Sequence, residues 1–231
     1  MPADKGPRPG RRYSTFVGVA FLILIVVATV NTIRTQSGGT LGTSKDERGI
    51  VLPEFAVPNA RTGPLDLDAN IAQDDCSTSE NPCPSDAGRS PACEIPRQGA
   101  IRVCDYFDRP LVLSFWFTRG ADCLPTQDAV DRVASRYRGR VNFLSINVRD
   151  DPGTVRQIVT EHGWKMPVGF DRDGAVSDLY RVGVCPTVVF AYPGGILNFE
   201  RIGTGELSAP MLNADIERLL RQSRARAREG R

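Results

Sequence analysis

Apolar residues fall in runs of two lengths along this chain. One long run, from Thr15 to Ile33, reads Thr-Phe-Val-Gly-Val-Ala-Phe-Leu-Ile-Leu-Ile-Val-Val-Ala-Thr-Val-Asn-Thr-Ile. It is close to the ~20 residues that a spanning helix needs, and it predicts one transmembrane helix over 15–33. Lys5, Arg8, Arg11 and Arg12 precede it in a basic tip, 1–14, and few basic residues follow. That bias puts the N-terminus in the cytoplasm and the bulk of the chain outside, a single-pass protein held in membrane lipid through 15–33. A cleaved signal peptide is the alternative. No small-x-small cleavage site follows the run, however, and the run is long for a signal segment. Arg11-Arg12 matches a twin-arginine signal weakly, because Ser14 and Thr15 stand where apolar residues belong.

Beyond the long run the pattern changes. Residues 34–50 are rich in Gly, Ser and Thr and read as a flexible linker. The remaining apolar runs have strand and helix lengths and predict a domain over 51–223. Val51 to Val57 alternates like an outer strand, Ile101 to Val103 is a short strand, and Leu111 to Phe117 is apolar throughout, as a central strand covered on both faces would be. Pro125 suits a first helical turn, and Val130, Val133, Ala134 and Tyr137 then form one stripe that Gly139 stops. Val141 to Val148 is the next strand. Asp151-Pro152 starts a helix whose Val155, Ile158, Val159 and His162 share a face, and Gly163 ends it. A short run from Met166 to Phe170 leads into a helical turn near Ala175 to Tyr180. Pro186 to Tyr192 and Ile196 to Ile202 flank Pro193-Gly194-Gly195 as a hairpin. A last helix begins near Ser208, with Leu212, Ile216, Leu219 and Leu220 on its apolar face, before a basic tail over 224–231. The order of elements predicts an α/β domain, with a mixed central sheet and helices on both faces.

Composition changes this picture at one place. Four of the six cysteines, Cys76, Cys83, Cys93 and Cys104, fall in or beside a segment at about 61–98 that is rich in Asp, Ser, Pro and Gly. Such a segment buries little apolar surface, so disulfides would order it, and disulfides belong outside the cytoplasm. Four cysteines allow three pairings, and the sequence does not choose among them. Zinc is the competing reading. It lacks close Cys-x-x-Cys pairs, and the single histidine, His162, is far away, so no metal is expected. The formal net charge of +2 is too small to imply a polyanionic partner, and no nucleic acid is expected. There is no glycine-rich phosphate loop and no Ser/His/Asp arrangement; no cofactor is expected.

The other two cysteines carry the candidate chemistry. Cys123 lies just ahead of the helix that starts near Pro125. There the positive end of the helix dipole favours a thiolate, the nucleophile of disulfide exchange. Arg119 adds positive charge nearby. The competing reading is a small buried hydrophobe. Phe115-Trp116-Phe117-Thr118-x4-Cys123 followed by an amphipathic helix resembles the active-site strand and helix of thioredoxin-like, membrane-anchored disulfide reductases of the cytochrome c maturation type. Pro167 to Ala175, Leu179-Tyr180-Arg181-Val182 and Val184-Cys185-Pro186-Thr187 resemble the stretch those proteins share with the peroxiredoxins. The resemblance covers about 50–60 and 99–223. It implies a thioredoxin-like fold, action on the thiols or disulfides of exported proteins, and a membrane electron donor.

The sequence departs from that family where the chemistry lies. The resemblance puts Gly120 at the attacking Cys of Cys-x-x-Cys and Cys123 at the resolving one. Thr126 stands where the reductases carry an acidic residue, and Thr118-Arg119-Gly120-Ala121 lacks the thiol of the peroxiredoxin Thr-x-x-Cys. In this fold the strand-opening proline, here Pro186, is cis, and the residue before it faces the active-site loop. The resemblance therefore implies that Cys185 approaches Cys123 and forms a displaced redox pair, with a buried thiol beside Pro186 as the alternative. Trp116 and Trp164 are candidates for the site rim or for the core. Thr118, Arg119 and Gly120 shape the loop. Two functions follow: atypical thiol–disulfide exchange through Cys123, with or without Cys185, or a redox-inactive module that holds a client beside Pro186 as an added strand.

Overall fold

The structure, a computed structural model, describes residues 19, 21–26, 45–46, 49–71, 77–78, 81–82, 92–96, 98–120, 122–203 and 207–229. The chain divides into two compact units, 1–40 and 41–231. In the first, Val19 and Phe21 to Val26 are helical, with large apolar side chains exposed. Among the described residues no helix is long and apolar enough to cross a membrane. The rest of the 15–33 segment, most of the 34–50 linker, and Cys76 and Cys83 lie outside the described residues.

In the second unit a chain-order set of elements builds one central sheet and one small one. These are β1 (Phe55–Pro58), β2 (Ala100–Arg102), β3 (Leu111–Trp116), α1 (Leu124–Arg136), β4 (Asn142–Val148), α2 (Pro152–Glu161), β5 (Val168–Asp171), α3 (Ala175–Leu179), β6 (Thr187–Tyr192), β7 (Ile196–Ile202) and α4 (Ala209–Glu229). The central sheet has the order β5-β4-β3-β6-β7. β3 is parallel to β4, and β4 to β5; β6 runs antiparallel to both β3 and β7. The small sheet pairs β1 with β2 and with a two-residue strand, Asn70–Ile71.

The apolar run of β3 is explained by its two covered faces. Val112 and Trp116 point into a core with α1, α2 and α4, among Val130, Val133, Val155, Val159, Leu212 and Ile216. Leu111, Leu113 and Phe115 point to the other face, among Phe55, Val57, Ile101 and Val176. Alternation along a strand sends neighbours to opposite sides, so a run that is apolar except for Ser114, whose hydroxyl donates to Gln127 at 2.9 Å, fills both cores. The expected helices on both faces are present, but unequally. Three long helices cover one side; the one-turn α3 and the small sheet cover the other.

Several expected elements take a different form. The strand expected over Val51 to Val57 is shifted to Phe55–Pro58 and joins the small sheet, while Val51 only bridges Ile196. The run after Arg102 turns into a 3-10 helix, Val103–Tyr106, instead of extending the strand. The segment at 61–98 is no plain loop where it is described. Leu65, Ala69 and Ala92 are buried, and Ser77–Thr78 pairs with Asn81–Pro82. Arg156 of α2 reaches back to the carbonyls of Ala60 (3.3 Å) and Gly63 (2.9 Å), which fixes the start of that segment to the domain. The basic run set apart as a tail continues α4 to Glu229. There Arg226 lies over the Tyr192 ring at 5.5 Å, and earlier in α4 Arg218 lies over Phe199 at 3.8 Å. Arginine stems and guanidinium planes covering aromatic rings give this polar helix a packing surface.

Candidate redox site

The sheet topology brings Cys123 and Cys185 together. β3 leaves the sheet after Trp116, beside the place where antiparallel β6 enters, with Phe115 opposite Thr187. The loop after β3 and the residues before β6 therefore share one end of the sheet. α1 begins at that end too. Its N-cap is Cys123, whose carbonyl accepts the Gln127 N–H at 3.1 Å, and Pro125 stands in the first turn without an N–H to satisfy. On the other side the Cys185–Pro186 peptide is cis, the Thr187 hydroxyl donates to the Val184 carbonyl (2.7 Å), and the Pro186 carbonyl accepts the Gly203 N–H (3.1 Å). Cys123 and Cys185 are joined by a disulfide, with Cα atoms 6.0 Å apart. That separation lies within the range a disulfide spans.

The loop over this bond is held from below by a carboxylate. Asp150, buried after β4, accepts the Thr118 N–H (2.8 Å), the Thr118 hydroxyl (2.9 Å) and an Asn147 amide N–H (2.7 Å). Arg119 sits 3.7 Å from the same carboxylate and donates to the Arg149 carbonyl. Thr118 and Arg119 thus anchor the loop rather than offering free groups to a client. Gly120 is exposed with φ of 90°, a conformation that side chains with a Cβ rarely adopt. Phe117, Thr118, Gly120, Asp122, Cys123 and Leu124 line a cleft of about 310 Å³ here. A larger cleft, about 630 Å³, lies between Gly63–Asp66 and α2 and is lined by no thiol or histidine.

Trp116 and Trp164 are core and do not line the rim. Both are buried, with rings edge-to-face at 5.1 Å, because Trp116 falls on the strand face that α1 and α2 cover. The Trp164 Nε1–H donates to Asp128 at 2.7 Å, and His162 contacts the same oxygen at 2.8 Å, so this histidine is tied to α1. Thr126 is buried too, its hydroxyl accepting the Leu207 N–H at 3.0 Å. That bond joins the lead into α4 to the first turn of α1.

Asp150 escaped the sequence reading. Its only signal is the doublet Asp150-Asp151. Asp151 caps α2, accepting the Thr154 N–H at 3.0 Å, and this leaves the first carboxylate without a local task. Asp171, at the end of β5, escaped it as well. It is fully buried, and burial pushes its carboxyl up to about 6 against the opposing effect of the Ser177 (2.8 Å) and Val176 (3.2 Å) N–H groups. Burial also raises the Tyr180 hydroxyl well above its usual range, and that hydroxyl donates to the Pro53 carbonyl at 2.7 Å.

A second disulfide joins Cys93 to Cys104, with Cα atoms 5.9 Å apart. The Arg102 guanidinium braces it, donating to the carbonyls of Cys93 (2.9 Å) and Ile95 (3.2 Å) and to Asp105 (2.7 Å). Glu54 lies near these two sulfurs. Because the sulfurs are bonded to each other, one carboxylate is left, too few donors for a metal ion.

Comparison with known proteins agrees with the fold. No family model matches the chain. Its sequence is similar to that of the thiol-disulfide oxidoreductase ResA of Oceanobacillus iheyensis, 27% identical over 116 residues. That match spans 50% of this chain and 59% of the relative's length. The thiol-disulfide oxidoreductase YkuV of Bacillus subtilis is 23% identical over 122 residues, spanning 50% of this chain and 80% of YkuV. Among solved structures, an uncharacterized conserved protein of Geobacillus kaustophilus superposes with a TM-score of 0.52 at 17% identity, covering 75% of this chain and 82% of that one. The chain has a thioredoxin-like fold, and its sequence resembles those of thiol–disulfide oxidoreductases.

Proposed function

We propose that this protein carries out thiol–disulfide exchange through Cys123 and Cys185, in place of the Cys-x-x-Cys pair whose first position is here Gly120. The observation that carries the reading is the disulfide between a sulfur at a helix N-terminus and a sulfur beside a strand-opening proline, at one end of the sheet. A thiolate released at Cys123 is favoured by the helix dipole, the arrangement that makes disulfides exchange readily. Residues 15–33 anchor the chain in the membrane with the domain on the extracytoplasmic side. The basic tip before that run and the disulfide-bonded domain after it support this placement. The partners are then thiols or disulfides of exported proteins, and a membrane dithiol donor restores the reduced pair.

The test is reduction of insulin disulfides by the full chain in detergent, with dithiothreitol as the electron source. The native chain accelerates the reaction over dithiothreitol alone, and Cys123→Ser and Cys185→Ser each abolish the acceleration. Equal rates for the native chain and both variants would refute exchange. Retained client binding in all three would then support the redox-inactive holding role instead.

A further inference from the structure

We infer that Cys185, and not Cys123, is the sulfur to which a partner thiol becomes bonded, and that Cys123 is the internal leaving group and resolving thiolate. This rests on the exchange reading above and assigns the two halves of the pair their roles.

Three observations separate the sulfurs. The first is access. Cys185 is 5% exposed and follows the exposed pair Gly183-Val184, whereas Cys123, although it lines the cleft of about 310 Å³, is 0% exposed. Val184 itself, the residue before Cys185 in the chain, is 41% exposed, an apolar side chain in water. The second is the field at Cys123. It caps a helix of 13 residues, and the positive end of that helix stabilises negative charge on its sulfur. The third is the field at Cys185. Its Sγ lies 4.0 Å from the carbonyl oxygen of Phe117, which a thiol can face as a donor and a thiolate cannot. Negative charge is thus favoured on Cys123 and disfavoured on Cys185. The faster direction of disulfide cleavage expels the better-stabilised thiolate.

The steps balance. A partner thiolate attacks Cys185 Sγ along the Cys123–Cys185 bond. The new bond is partner sulfur to Cys185 Sγ, the broken bond is Cys123 Sγ to Cys185 Sγ, and the electron pair leaves on Cys123. A second thiolate of the same partner then attacks the partner's own sulfur in the mixed disulfide. It expels Cys185, which takes up a proton and faces the Phe117 carbonyl. The partner dithiol is oxidised to a disulfide, and the chain's disulfide is reduced to one thiolate and one thiol. Run backwards, the same steps reduce a partner disulfide, with Cys123 attacking Cys185 Sγ to release the partner. The family that the sequence resembles has both thiols in one Cys-x-x-Cys motif; here the two roles divide between helix and proline loop.

The experiment uses the oxidised native full chain, so no variant has to fold. It is mixed with a short peptide carrying one cysteine and quenched with acid within seconds. Proteolysis and mass spectrometry then locate the adduct. We expect the peptide on Cys185 in about tenfold excess over Cys123. In Cys123→Ser, whose Cys185 is left as a thiol, the peptide is supplied instead as its own disulfide-linked dimer; Cys185 displaces one peptide thiolate, and the adduct persists because the resolving sulfur is gone. An adduct mainly on Cys123 overturns this assignment and leaves exchange standing. No adduct on either sulfur, or adducts confined to Cys93 and Cys104, overturns both.

Discussion

Removal of the Cys123–Cys185 bond tests whether the site shapes the stability of the whole domain. The bond spans a sequence separation of 62. Closing a loop of that length lowers the entropy of the unfolded chain enough to stabilise the fold by about 4 kcal/mol, against about 3 kcal/mol for the Cys93–Cys104 loop of separation 11. Single domains are stable by roughly 5–15 kcal/mol, so the Cys123–Cys185 bond supplies a substantial share of the total. The perturbation is the double variant Cys123→Ala/Cys185→Ala, which leaves the other pair intact. Urea unfolding followed by circular dichroism measures it. The expected result is a fall of about 4 kcal/mol under oxidising conditions, and little difference between variant and native chain once dithiothreitol has reduced both. Linkage gives the same quantity a second meaning. A bond that favours the folded state by this amount is held oxidised by the fold to the same degree, roughly 90 mV for a two-electron couple. A loss below about 1 kcal/mol in oxidising buffer would refute the reasoning, because a bond closing that loop must constrain the unfolded chain.

Asp171 predicts a pH dependence. Its carboxyl is raised to about 6 by burial, so between the unfolded value near 4 and about 6 the native state holds a proton that the unfolded state has released. Stability from this group is therefore fully present below about pH 4 and is lost as pH rises through about 6, by about 3 kcal/mol. Urea unfolding at pH 4 and pH 7 checks it against Asp171→Asn, in which the drop should shrink; equal drops in both proteins would count against it. Gly120→Cys rebuilds a Cys-x-x-Cys sequence, but at a φ of 90° it should cost about 1–2 kcal/mol. Mass mapping of the oxidised variant should still find Cys123 bonded to Cys185, and a bond from residue 120 to Cys123 would show that the loop relaxes freely.

The parts of the site that could be read in the sequence are those that local chemistry fixes. The mainly apolar runs of β3 and β6, with only Ser114 and Thr187 polar, require two covered faces, and Pro186 belongs at a strand start. Asp151-Pro152 specifies a helix start through its own side chain and ring. Features set by distant partners were not legible. Asp150 acquires its role only because the loop after β3 passes over the end of β4, 32 positions away along the chain, and Thr118 presents two donors to it. Trp116 and Phe115 are adjacent aromatic residues in one run, and only the placement of α1 and α2 decides which of them lies beneath the site. The arginines of α4 look like solvent-exposed charge until Tyr192 and Phe199 of the hairpin come under them. Gly120 combines both cases. Its identity removes a thiol, a loss visible in the sequence, while its positive φ is a property of the folded loop. With Asp150 holding Thr118 beneath, that loop leaves position 120 better suited to glycine than to cysteine, and the disulfide partner of Cys123 comes from the segment that leads into β6. The antiparallel pairing of β3 with β6 supplies it.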